Sequence, residues 1–132
     1  MTKDQELIND LLFKGFVEKE KEQHGVKFVV KNINSDDQLK IEHEMSELVG
    51  SSAFLIHTYQ KKVLSRTLIS VGEITFTDLV DTMAWISKQS SAMVSFLVQF
   101  QTELERDLSI LMGTTSPEVI EDFSETPEPI ED

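Results

Sequence analysis

The chain has 132 residues, of which 39% are hydrophobic, and this suits one domain with one modest core. It contains no cysteine, which excludes disulfides and thiolate metal sites. The sequence opens without a signal-peptide pattern, and no apolar run approaches the roughly 20 residues of a membrane helix. We therefore expect a soluble intracellular protein with no membrane partner.

The negative charge is concentrated towards the C-terminus. The chain carries 24 acids and 12 bases, a formal net charge of −12. Residues 114–132 hold seven of the acids and no Lys or Arg, which leaves 17 acids and all 12 bases in residues 1–113. Because affinity for nucleic-acid phosphates depends on Lys and Arg, we expect no direct nucleic-acid binding.

A short helix and a β-hairpin are predicted at the N-terminal end. Apolar residues recur at helical spacing between residues 4 and 16, interrupted at Gly15. Apolar and basic residues largely alternate over residues 26–31, and Gly25 suits a tight turn. Residues 16–31 are therefore predicted to form a hairpin whose charged first strand lies at a sheet edge. A charged helix continuing over residues 17–23 is the alternative.

The middle of the chain predicts two helices. Ser35 and Gln38 form a capping-box pattern at the start of the first, which ends near Gly50. The second, over residues 53–71, is long and has a wide apolar face. Its other side carries the only local positive cluster of residues 1–113, which is a candidate for partner binding. The cluster consists of Lys61, Lys62 and Arg66.

A short extended piece over residues 72–77 is followed by two more predicted helices, 78–88 and 92–112, with a continuous bent helix as the alternative. The first half of the last helix has apolar residues on two sides. Such a segment is either central in the core or covered by a partner. The partner-binding candidates here are Val94, Phe96, Val98 and Phe100.

Residues 114–132 are predicted to be a disordered acidic tail that follows a domain formed by residues 1–113. Gly113 suits a helix end, and the segment beyond it combines acids with three prolines. Val119, Ile120 and Phe123 interrupt the acidity, so the segment is also a candidate docking peptide for a partner. The composition favours the simpler interpretation, a solvated tail without a docking role.

The sequence contains no pattern typical of catalysis. Its five glycines are isolated, which argues against a phosphate-binding loop. His43 and Glu47 have the spacing of a metal-binding pair on a helix, but no third ligand follows from the spacing, so the pattern favours a surface His–Glu pair. We expect no enzymatic activity, no catalytic residue, no metal and no cofactor.

The order of segments over residues 11–112 resembles small tail-morphogenesis proteins of tailed bacteriophages, the tail assembly chaperones and baseplate-hub assembly proteins. The resemblance rests on residues 12–22, on the GVKFVVKNI stretch of residues 25–33, and on VLSRTLISVG over residues 63–72. The chain has Thr67 where those proteins tend to have Ala.

The expected fold is α+β and mainly helical, with an N-terminal β-hairpin and about four helices around one core. The resemblance implies a non-enzymatic tail assembly chaperone, or a minor tail or baseplate component, that binds tape-measure, tube or baseplate proteins. It implies location in the host cytoplasm during assembly or in the virion tail, and a homo-oligomer is an option. The alternative is an acidic DNA mimic or anti-defence inhibitor, although the excess of acids lies in the tail and not in the body.

Overall fold

The computed structural model describes residues 2–114, which form five helices and one four-stranded antiparallel sheet. In chain order the elements are α1 (Lys3–Phe13), β1 (Glu18–Gln23), β2 (Val26–Lys31), α2 (Ser35–Met45), α3 (Ser52–Thr67), β3 (Leu68–Val71), β4 (Ile74–Thr75), α4 (Leu79–Lys88) and α5 (Ser91–Leu111). The predicted α+β, mainly helical class is confirmed. The predicted acidic tail lies, apart from Thr114, outside the described residues.

The predicted hairpin is formed by β1 and β2. Gln23 pairs with Val26 across a two-residue turn. Both turn residues have positive φ, 53° at His24 and 81° at Gly25, which is the conformation whose twist matches that of the flanking strands. The alternative of a charged helix over residues 17–23 is therefore wrong. A side-chain contact closes the open end, where the Asn32 Oδ1 accepts a hydrogen bond from the Val17 N–H at 2.7 Å.

The sheet continues from β2 to β3 and β4 in the order β1-β2-β3-β4. The predicted helix over residues 53–71 is wrong at its end, because residues 68–71 leave α3 and pair with β2. The positions of Leu68 and Val71 fit the apolar face of a helix, but Val71 is β-branched and lies opposite Phe28 in the ladder. Pairing with β2 prevails over the helical pattern here.

Polar capping residues fix where the helices begin. Asn34, and not Ser35 as predicted, caps α2, since its side chain accepts a hydrogen bond from the Asp37 N–H at 2.7 Å. Ser51, Asp78 and Ser90 cap α3, α4 and α5 in the same way. The cap at Ser90 confirms the predicted boundary between α4 and α5 and excludes one continuous helix.

The core lies between the sheet, α3, α4 and α5. Phe28 and Val30 of β2 are 4% and 0% exposed, and they pack with the buried side of α5. The cluster of buried apolar residues is Val17, Phe28, Val30, Leu64, Leu68, Ile86, Leu97, Phe100, Leu104 and Leu108. The core thus uses one side of α5 along most of its length.

The C-terminal end of α5 turns the chain back towards the helix. Gly113 has a φ of 79°, and its N–H donates to the Ile110 carbonyl at 3.0 Å. The Thr114 N–H donates to the Ser109 carbonyl at 2.9 Å, and the Thr114 hydroxyl donates to the same oxygen at 3.1 Å. This is a Schellman motif, as expected for a helix that ends before Gly.

Candidate functional site

One side of α5 is covered by the β-hairpin. The Phe96 ring meets the Phe28 ring edge-on, with centroids 4.9 Å apart, and Phe100 is 1% exposed. The ammonium of Lys21 lies 5.8 Å from the Phe96 centroid and 5.4 Å from the Phe100 centroid. The aliphatic part of Lys21 thus covers aromatic surface while its charge stays near water.

The lysines of β1 also meet acids on α5. The Lys19 Nζ lies 3.1 Å from the Asp107 Oδ2, and the Lys21 Nζ lies 3.7 Å from the Glu103 Oε1. The charged strand therefore has two sides, with glutamates towards solvent and Lys19 and Lys21 towards α5. Sequence reasoning missed this role of the lysines.

The other side of α5 borders an open groove of about 660 Å³. Helices α2, α3 and α5 form its walls, and Ile33 lies at one end of the α2 wall. Its lining residues are Ile33, Gln38, Met45, Leu55, Ile56, Tyr59, Gln60, Val63, Leu64, Val98, Gln101, Thr102 and Glu105. Eight of these are apolar or aromatic, and Glu105 carries the one formal charge among them.

The polar side chains of the groove are largely engaged with each other. The Gln38 Nε2 donates to the Tyr59 Oη at 2.7 Å, which links α2 to α3. The Glu105 carboxylate accepts from the Ile33 N–H at 2.7 Å and from the Gln101 Nε2 at 2.6 Å, which links α5 to the segment before α2. These bonds hold the walls in place, so binding in the groove depends on its apolar residues.

Apolar side chains are exposed where the groove opens between the end of α2 and the start of α3. Ile56 lines the groove and is 55% exposed, Phe54 is 47% exposed, and Val49 is 94% exposed. Exposed apolar residues that adjoin an apolar groove form a surface suited to contact with another apolar segment. The sequence pattern predicted the wide apolar face of α3 but not that part of it stays uncovered.

The predicted basic cluster mainly connects α3 to α2. The Lys62 Nζ lies 2.7 Å from one Glu44 oxygen, and the Arg66 guanidinium lies 3.2 Å from the other. Arg66, with a side chain only 10% exposed, also lies 3.9 Å from Asp37. The hydrogen bond from Lys62, together with the charges of Lys62 and Arg66, lowers the pKa of Glu44 below its usual value. Lys61 is half-buried.

The structure separates the apolar candidates of α5. Val98 lines the groove, whereas Phe100 lies in the core. Val94 and Phe96 are half-buried and pack against the core cluster. The remaining candidates, Val119, Ile120 and Phe123, lie outside the described residues. Among the proposed residues that the structure describes, only Val98 thus lines the groove.

Within residues 2–114, no group of three or more His, Cys, Asp or Glu side chains is placed to hold a metal ion. The His43 Nε2 lies 3.9 Å from the Glu47 Oε2, and both side chains are largely exposed. None of the helices in this part of the chain is long and apolar enough to cross a membrane.

Comparison with protein-family models, with curated proteins and with solved structures finds no match for the chain. Its geometry is therefore the main guide to its function.

Proposed function

We propose that the protein is a non-enzymatic tail-morphogenesis protein of a tailed bacteriophage, acting as a tail assembly chaperone or as a minor tail or baseplate component. It works by binding another tail protein, for which a tape-measure, tube or baseplate protein is the expected partner. The observation that carries the proposal is the open apolar groove between α2, α3 and α5.

The groove fits an apolar partner segment because of its size and its lining. A volume of about 660 Å³ lies within the range of protein pockets that enclose small ligands, so several apolar side chains fit inside it. The neighbouring Ile56 is 55% exposed and extends the contact surface beyond the groove itself. Burial of these side chains against a partner supplies the driving force for binding.

The charge of the chain supports the same role. A protein that holds an aggregation-prone client needs apolar surface for the client and strong like charge to keep the complex in solution. The groove supplies the first requirement, and the net charge of −12 supplies the second. The resemblance of residues 11–112 to phage tail assembly proteins gives this general binding role a specific setting, the host cytoplasm during assembly or the virion tail.

The proposal is tested by co-expressing the chain with the tape-measure protein of the same phage and measuring how much of that protein stays soluble. Ile56→Asp places a charge in the groove, and Thr102→Trp fills the groove from an exposed position. We expect both variants to lose the solubilising effect. Val80→Asp is the matched control, because Val80 is 75% exposed and lies outside the groove lining.

Circular dichroism of each purified variant shows whether it has folded, so a loss of solubilisation is attributed to the groove only for folded variants. Full solubilisation by Ile56→Asp and Thr102→Trp would contradict the role of the groove, and none by the unaltered chain would contradict the chaperone version of the proposal. Mass spectrometry of purified virions then separates the two versions of the role. A stoichiometric signal rules out a chaperone that leaves the particle, and no signal rules out a permanent component.

A further inference from the structure

The end of α5 leads the chain towards the groove. Val98, Thr102 and Glu105 line the groove, and Ser109 follows them on the same face of the helix, since positions i, i+4, i+7 and i+11 lie in one row. Both hydrogen bonds from Thr114 end on the Ser109 carbonyl. The described chain therefore ends beside the last turns of α5, the helix that forms this wall of the groove.

The distance from this point to the groove is short. Met112 lies seven positions after Glu105, which corresponds to about 10 Å along the helix axis. Residues 114–118 connect the helix end to Val119. A random-coil chain of five residues spans about 12 Å on average. A five-residue connection is therefore long enough to bring Val119 to the groove, and such an attachment gives an effective concentration on the order of millimolar.

The first apolar residues after Gly113 suit the groove chemically. Val119, Ile120 and Phe123 are the only apolar residues between Pro117 and Pro127. In a helical conformation, a spacing of i, i+1 and i+4 would place the three side chains within about 100° of one another around the axis, with the two acids between them outside that sector. Their side chains match the apolar lining of the groove.

We infer that residues 119–123 occupy the groove of their own chain when no partner is bound, so that a partner must displace them. The C-terminal segment then acts as an internal competitor that shields the apolar surface from other copies and from non-specific contacts. The role as a competitor rests on the proposed function, because only there is the groove the partner site. Occupation of the groove is a separate property of the free chain.

Paramagnetic relaxation measures this occupation directly. The chain has no cysteine, so Ser124→Cys creates a single attachment site for a nitroxide spin label in the full-length protein. We expect loss of methyl signal intensity at Leu55, Ile56 and Val98, which line the groove, and no loss at Ile74 or Val80 outside it. Adding Val119→Ser, Ile120→Ser and Phe123→Ser together should restore the groove signals, whereas the matched control Ile130→Ser should leave them weakened.

Three results would overturn the inference. The first is unchanged intensity at all groove methyl groups, and the second is weakening that persists after the triple serine substitution. The third is weakening of the same size when spin-labelled chains without isotope are mixed with isotope-labelled chains without spin label, since the occupant would then belong to a second copy. Because the co-expression experiment reports on the partner and this one on the free chain, failure of either is recognised separately.

Discussion

The two sides of α5 show how apolar surface becomes core or binding site. On one side, Phe96 and Phe100 meet Phe28 and the lysines of β1, and the space is filled. On the other, the shorter side chains of Val98 and Thr102 face α2 and α3 across an open groove. The sequence places apolar residues on both sides of α5. Only on the first side do large aromatic residues pack against a paired strand and fill the space. The size of the side chains and the element packed against them therefore determine which side of α5 remains available for binding a partner.

Shortening a side chain on the filled side should give the largest effect. Phe100→Ala removes a side chain that is 1% exposed, and we expect the free energy of unfolding to fall by about 3–5 kcal/mol. Ile56→Ala on the open side should cost about 1 kcal/mol or less, because that side chain is already 55% exposed. Urea denaturation followed by circular dichroism measures both. Equal losses would mean that the groove is packed as tightly as the core.

Enlarging one residue on each side of α5 should also distinguish the two sides, because only the open side has space for the added atoms. Leu97 is 0% exposed, so Leu97→Phe has no space for the added atoms and should lower the free energy of unfolding by about 1–3 kcal/mol. Val98→Phe points into the groove and should change it by less than about 1 kcal/mol. Thermal and urea denaturation of the pair are the measurements. A larger loss in Val98→Phe than in Leu97→Phe would reverse the comparison.

The smallest effect concerns the α2 wall of the groove, which ion pairs help to hold. Glu44→Gln should lower the free energy of unfolding at neutral pH by less than about 1 kcal/mol, since the Glu44 side chain is 41% exposed. Lys62 and Arg66 lower the folded-state pKa of Glu44, so its contribution is complete above its ordinary pKa of 4.5 and is lost as the pH falls through the folded-state pKa.

Urea denaturation of both proteins over a series of pH values tests this dependence. The difference between the unaltered chain and Glu44→Gln should shrink towards acid pH. Lys40→Gln, which removes an exposed ion pair within α2, is the control and should show little difference at any pH. A gap that grows on acidification would contradict the assigned role of Glu44.

Local features of this fold are predictable from the sequence because short-range chemistry determines them. The turn at Gly25, the caps at Ser51, Asp78 and Ser90, and the helix end at Gly113 each depend on a few adjacent residues. The strand β3 was not predictable in this way, since its formation depends on pairing with β2, about 40 residues earlier in the chain.

The candidate site is less predictable than the fold because it depends on contacts between distant elements. The wide apolar face of α3 and the two-sided α5 are visible in the sequence. Which part of this apolar surface stays uncovered depends on how α2 packs against α3. The contacts of Glu44 with Lys62 and of Gln38 with Tyr59 hold the two helices in that arrangement. The pairing of Lys62 and Arg66 with Glu44 also explains why the basic cluster, which suggests partner binding in the sequence, mainly joins two helices of the fold.

The junction between α3 and β3 limits how this chain can change in length. Helix α3 ends at Thr67 and β3 begins at Leu68 without a connecting loop, and both residues are buried. One inserted residue here would rotate the helix by about 100° relative to the strand, or turn every side chain of the strand to the opposite face. Insertions and deletions are therefore better tolerated in the exposed segment between α2 and α3, where the size of the groove can change while the core is kept.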